Sequence, residues 1–207
     1  MNNILIIGAG EGMGKALTEG LSNFDQIYTI SRKEDFCVDG TIHIQSDASK
    51  SIEVNTIDND SLDLVIYIPS LWGTDSEMSE TEFDDYMAVG PKGFLKSFNT
   101  LRENSKLKDN ALVVSIGSTA SETALQISDN PSSSIYSLAK LTQKSLVIQL
   151  MQKYKQYRFL NFTLGSIGDD DGGVGYSNIV NTINHIYTMK NGVRYSEVTL
   201  ASEVDVY

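Results

Sequence analysis

The chain has one cysteine, two histidines and sixteen basic residues among 207, and each scarcity closes a class of function. A lone Cys37 cannot form an internal disulfide, which fits a reducing compartment, so the expected location is cytoplasmic. His43 and His185 lie far apart with no cysteine nearby, and no metal-ligand spacing results. Lys and Arg are scattered and outnumbered by 27 acidic residues. The net charge of −11 disfavours nucleic acid and anionic membranes as partners, because phosphates must be met by clustered cations. No apolar run is long enough to span a bilayer, and no basic segment precedes Ile4, so a soluble, unprocessed protein is expected. Repeats, linkers and low-complexity tracts are also missing. At this length residues 1–207 are expected to form one domain with a sizeable core.

What is present is organised around Ile4-Leu5-Ile6-Ile7-Gly8-Ala9-Gly10-Glu11-Gly12-Met13-Gly14. Four apolar residues read as a buried strand, alternate glycines as a tight turn, and Met13 to Leu21 repeats apolar residues at helical spacing. A strand, a glycine turn and a helix start make a seat for a pyrophosphate, which meets backbone N–H groups and the positive end of the helix dipole. The spacing G-x-G-x-x-G is not used, since position 13 is Met. Gly8-x-x-x-Gly12-x-Gly14 stands instead and allows a wider turn. A glycine turn without a ligand is the alternative.

Further strands are expected over Gln26–Ser31, Thr41–Gln45, Leu62–Ile68, Ala111–Ile116, Phe159–Leu164 and Glu197–Ala201. Between them, the capping box Ser79-x-x-Glu82 starts a helix running towards Leu107 and broken by Gly90-Pro91. A second helix is expected from Ser134 to about Tyr157, with Leu138, Leu141, Leu146 and Leu150 on or near one face, and a third over Asn178–Met189. Short strands alternating with helices imply a doubly wound parallel α/β sheet, with ligands outside the carboxyl ends of the strands.

Tyr136 and Lys140 fall one helical turn apart, just after a strand that ends in Ser115-Ile116-Gly117-Ser118. Together with the glycine spacing, these motifs resemble the short-chain dehydrogenase/reductase family in its standard short form, from Ile4 to about Gly165. The resemblance implies a Rossmann-type oxidoreductase that moves a hydride between a nicotinamide and a carbonyl or alcohol carbon of a small molecule. It makes Tyr136 the general acid/base, gives the substrate oxygen to Ser118, and has Lys140 bind the nicotinamide ribose and lower the phenol pKa. A cation at about 4 Å from a phenol contributes roughly 4 kcal/mol at an effective dielectric near 20, or about 3 pK units before desolvation opposes it. The cofactor is expected to contact Gly8, Gly10, Gly12, Met13, Gly14, Ser31, Arg32, Asp47, Tyr136, Lys140 and Ile167.

Ser31 stands where NAD enzymes of this type place a carboxylate, and Arg32 and Lys33 follow it, so NADP(H) is favoured over NAD(H). Glu11 in the glycine turn argues against this, and a merely solvated Arg32-Lys33 pair is the alternative. Asp47 matches the family aspartate that contacts adenine, and an Asx cap of the next helix explains it almost as well. Ile167 corresponds to the residue whose backbone meets the carboxamide.

There are also departures. The family motif Asn-Asn-Ala-Gly is replaced by Tyr67-Ile68-Pro69-Ser70, and the asparagine that supports a proton-relay water is replaced by Gly90. The expectation is that the backbone bend is kept and the side-chain relay lost. The segment between Ser118 and Tyr136 is about five residues longer than family spacing suggests and is expected to form a mobile wall. Asp169-Asp170-Asp171 reads as a solvated turn before a shortened lid. Homodimers or homotetramers are common in the family, and Phe94, Leu95 and Phe98 serve either such an interface or the sheet. These departures leave a rival reading, a dinucleotide-binding sensor or assembly protein of the same fold that turns over little.

Overall fold

Strand β1 (Asn3–Ile7) is buried along its whole length because it pairs on both sides, with β2 (Gln26–Ser31) and β4 (Leu62–Tyr67). The computed structural model describes residues 1–34, 36, 38–72, 79–124, 134–168, 172–189 and 194–202. The remaining strands are β3 (Thr41–Gln45), β5 (Leu107–Ser118), β6 (Arg158–Leu164) and β7 (Glu197–Leu200). They form a seven-stranded sheet in the order β3-β2-β1-β4-β5-β6-β7, every pairing parallel. The order reverses between β1 and β4, which opens a crevice at the carboxyl ends of those strands.

Both faces are covered. Ile4 and Ile6 point into one apolar layer with Leu17 of α1 (Met13–Gly20) and Ile179 and Ile183 of α6 (Tyr176–Thr188). Leu5 and Ile7 point into the other, with Phe94 and Phe98 of α3 (Gly93–Glu103) and Val147 of α5 (Ser134–Lys153). Phe94 and Phe98 therefore face the sheet, and Leu95 is half-buried against the same layer. This is the doubly wound parallel sheet that the alternating pattern implies. Among the described residues no helix is long and apolar enough to cross a membrane.

Three expectations need correction. First, the helix that begins at Glu80 is not broken at Gly90-Pro91. α2 (Glu80–Met87) passes through a single π turn, Ala88–Lys92, into α3, which ends at Glu103. Pro91 lacks an N–H, and the widened turn accommodates that loss without ending the helix. Leu107 belongs instead to β5, whose first residues carry the polar run Lys108-Asp109-Asn110.

Second, α5 buries only part of the face its leucines suggest. Leu150 is buried, but Leu141 and Leu146 are half-buried and Leu138 is 39% exposed, and the buried stripe runs through Ile135, Ala139, Gln143, Val147 and Leu150 at spacings of four and three. The sheet beneath is itself polar there, and it selects polar partners. Gln143 Nε2 donates to Ser115 Oγ at 2.7 Å, and Lys144 pairs at 2.7 Å with Glu197, which also accepts from Thr163. Third, no helix follows Asp47; residues 48–50 form a turn.

Candidate active site

The crevice is a cavity of about 880 Å³ that collects the residues just past β1, β2, β3, β4, β5 and β6, together with Tyr136 and Lys140 of α5. Of the residues singled out from the sequence, Gly8, Gly10, Met13, Ser31, Arg32, Asp47, Ser118, Tyr136, Lys140 and Ile167 line it. Gly12 and Gly14 stand behind the lining. Gly12 has φ +79° with the Tyr176 hydroxyl 3.0 Å from where a Cβ would stand, and a Cβ on Gly14 would strike the Ala9 Cα at 2.8 Å. Gly14 therefore lets α1 close on the turn. Gly8 combines φ +86° with the ring of Pro69 only 2.8 Å from its missing Cβ, so the glycine turn and the wall after β4 need each other.

At one end of the cavity α5 presents Tyr136. Its phenol lies beside the hydroxyls of Ser118, at the end of β5, and Ser70, past β4, both close enough to favour its anion. Ser118 Oγ also accepts from the Ala120 N–H at 3.2 Å, at the start of the short α4 (Ala120–Thr123). Trp72 sets its ring edge-to-face on Tyr136 at 4.9 Å between centroids. Beneath this group Lys140 is 4% exposed and its Nζ donates to the Ile116 carbonyl at 2.8 Å. Burial brings the Lys140 pKa down to about 8.

The expected depression of the phenol pKa by Lys140 does not occur in this arrangement. The ammonium lies 5.7 Å from the Tyr136 ring centroid and spends a donor on Ile116. Burial pushes the phenol above its usual value, and the Ser118 and Ser70 hydroxyls offset only part of that rise. Desolvation outweighs the charge that the spacing invoked.

The other end lies under β2 and β3. Arg32 and Lys33 are exposed at the rim, and Arg32 makes no ion pair with a described residue. Side chains from β3 pin this turn: His43 contacts the Lys33 carbonyl through Nε2 at 2.8 Å, and Gln45 donates to the Arg32 carbonyl at 3.2 Å. Ser31 Oγ donates to the Lys33 carbonyl at 3.0 Å. Asp47 caps the turn after β3, its Oδ1 accepting from the Ser49 hydroxyl at 2.7 Å and the Ser49 N–H at 3.0 Å. The Ser49 hydroxyl above all, then its N–H, Lys50 and Arg32, hold the carboxyl below the usual range against the opposing effect of burial.

The substituted wall is built as a unit. Tyr67 donates from its hydroxyl to the Val89 carbonyl of the π turn at 2.5 Å, and a Cβ on Gly93 would collide with that same hydroxyl. Gly90 is buried, and a Cβ there would stand 3.3 Å from Gln143 Oε1, an oxygen with no hydrogen-bond partner among the described residues. After β6, Ile167 bridges to Val174 before α6 begins, a short excursion. Residues 125–133, which hold most of the long segment before Tyr136, and Asp169 to Asp171 lie outside the described residues.

Sequence reasoning assigned no role to Ser70, Trp72, His43 or Gln45. Ser70 and Trp72 carried one signal, their position three and five residues past a strand that points at the crevice; His43 and Gln45 carried none, because what ties them to this turn is backbone carbonyls.

No protein-family model matches the sequence, and no curated protein does. Solved structures match the fold throughout. The closed form of serine dehydrogenase complexed with NADP+ superposes with a TM-score of 0.81 at 12% identity, covering 99% of this chain and 96% of that one. The NADH-dependent reductase A1-R' complexed with NAD gives 0.79 at 14%, covering 100% and 97%. A short-chain dehydrogenase/reductase from Serratia marcescens gives 0.80 at 12%, covering 99% and 98%. The chain has the Rossmann-type fold of the short-chain dehydrogenases/reductases.

Proposed function

We propose that residues 1–207 form one NAD(P)-binding domain of the short-chain dehydrogenase/reductase type, an NADP(H)-dependent oxidoreductase acting on a carbonyl or alcohol carbon of a small molecule. The observation that carries this reading is the cluster of Tyr136, Ser118 and Ser70 above a buried Lys140, at one end of a cavity whose other end is bounded by the glycine turn and Arg32. The residues fit a dinucleotide. Gly10 lines the cavity with nothing within 4 Å of where its Cβ would be, so a pyrophosphate reaches backbone there. Arg32, exposed at the rim and in no close ion pair with a described residue, suits a 2′-phosphate. Solved structures of the same fold carry NAD or NADP+, which supports the cofactor class.

When bound, a nicotinamide supplies or accepts a hydride, one proton with two electrons. This chain's residues do the rest. Ser118 and Ser70 hold the substrate oxygen beside the Tyr136 hydroxyl, which gives its proton to that oxygen as the carbon is reduced and regains one from solvent. A phenol raised by burial is protonated at neutral pH, which suits it to the reducing direction. Lys140, fixed through Ile116 one helical turn below Tyr136, is mostly protonated at pH 7 and is placed to donate to the nicotinamide ribose.

The rival reading, a nucleotide sensor with little turnover, draws on Gly90, which brings no side chain to the site. Tyr136→Phe separates them. NADPH consumption with carbonyl substrates should be abolished in the variant with nucleotide binding kept; a variant that turns over like wild type contradicts the enzyme reading.

A further inference from the structure

The sole tryptophan of the chain, Trp72, is 81% exposed, yet it lines the cavity and packs edge-on against Tyr136. A large aromatic left open at the one place where the reacting carbon must sit is a surface waiting to be covered. Its neighbours are apolar as well: Leu71 is half-buried against Tyr86 and Met87, and Ile167 offers a 41% exposed side chain across the cavity.

The charge around the cavity is segregated. Among the described residues that line the cavity, the charged side chains are Arg32, Lys33, Asp47 and Lys140. The first three follow β2 and β3. Between β2 and β5 lie three strand spacings, about 14 Å at roughly 4.8 Å each. Lys140 is buried and committed to Ile116. No described cation is left at the Tyr136 end to meet a carboxylate or phosphate, and burying such a group unpaired is costly.

We infer that the substrate is an uncharged carbonyl compound, or its alcohol, carrying a planar apolar ring that lies on the Trp72 indole while its oxygen meets Tyr136, Ser118 and Ser70. The inference rests on the function proposed above and narrows it to a substrate class. Zwitterionic amino acids, phosphorylated sugars and small polyols fall outside that class.

Trp72 is also the reporter for the test, since all indole fluorescence of the protein comes from it. NADP+ is first bound and its affinity measured by calorimetry. The complex is then titrated with acetophenone, with its anionic counterpart 4-acetylbenzoate, and with dihydroxyacetone, following Trp72 emission against free N-acetyltryptophanamide as control. Acetophenone should quench saturably and bind at least about ten-fold more tightly than the other two. Trp72→Ala should raise its KM about ten-fold or more with NADP+ affinity kept, and Trp72→Phe should restore most of the loss. Equal binding of 4-acetylbenzoate or dihydroxyacetone, no binding of any of the three to the NADP+ complex, or an unchanged KM in Trp72→Ala overturns the substrate class and leaves the enzyme reading standing. Loss of NADP+ affinity in Trp72→Ala makes the indole a cofactor contact and overturns it too. If NADP+ itself does not bind the wild type, the proposed function fails and the inference falls with it.

Discussion

Replacing Lys140 by methionine should make the ligand-free protein more stable at neutral pH, and the gain should fade as pH rises. In the folded state Lys140 titrates at about 8 rather than the ordinary 10.5, because burial disfavours its charge. Between those values the unfolded chain binds more protons than the folded one, so the wild type gains stability as pH increases. At pH 7 the ammonium costs the folded state about 3 kcal/mol, falling to about 1 kcal/mol at pH 10. Methionine removes that cost and leaves the Ile116 carbonyl without its donor, a loss of about 1–2 kcal/mol that does not vary with pH. The net advantage of Lys140→Met is therefore about 1–2 kcal/mol at pH 7, with a slope against pH of about 2 kcal/mol across three units. Urea unfolding of both proteins at pH 7, 8, 9 and 10 without nucleotide measures the slope directly. A difference that is independent of pH, or that grows with pH, refutes the buried-cation reasoning.

Arg32→Ala should weaken NADPH by about ten- to a hundred-fold and leave NADH within a factor of about two, since one charged hydrogen bond to the 2′-phosphate is worth roughly 1.5–3 kcal/mol. Parallel calorimetric titrations decide it, and equal losses for both nucleotides count against the assignment. Gly93→Ala should destabilise the protein by about 2 kcal/mol or more, because its Cβ meets the Tyr67 hydroxyl and the Ala48 and Ala88 carbonyls. Adding Tyr67→Phe should recover part of the thermal stability, and full additivity of the two changes contradicts the contact. Gly90→Asn places an amide beside Gln143 Oε1, which has no hydrogen-bond partner among the described residues, and should raise turnover or shift its pH profile. If neither changes, the idea that Gly90 removes a proton relay is wrong.

The sheet was legible in the sequence because strands buried on both faces need near-continuous apolar runs, and Ile4–Ile7, Leu64–Tyr67 and Leu112–Val114 supply them. The start of β5 was not, because Lys108, Asp109 and Asn110 interrupt the pattern. The buried face of α5 was misread for a related reason. Apolar periodicity identifies a buried helix face only where the opposing surface is apolar, and here it carries Ser115, Asn161 and Thr163. At the site, Tyr136, Lys140 and Ser118 announced themselves by order and spacing. Ser70 and Trp72 did not, because a loop after a strand has no period that says where its side chains turn. The phenol pKa was misjudged because spacing gives proximity but not burial.

The central claim is that this cavity holds a phosphorylated nicotinamide dinucleotide, and equilibrium titration of the purified protein with NADPH and with NADH tests it most directly. The account expects saturable binding of NADPH at one site per chain, at least about ten-fold tighter than NADH. Binding of neither nucleotide would leave the fold intact and contradict both the enzyme and the sensor readings.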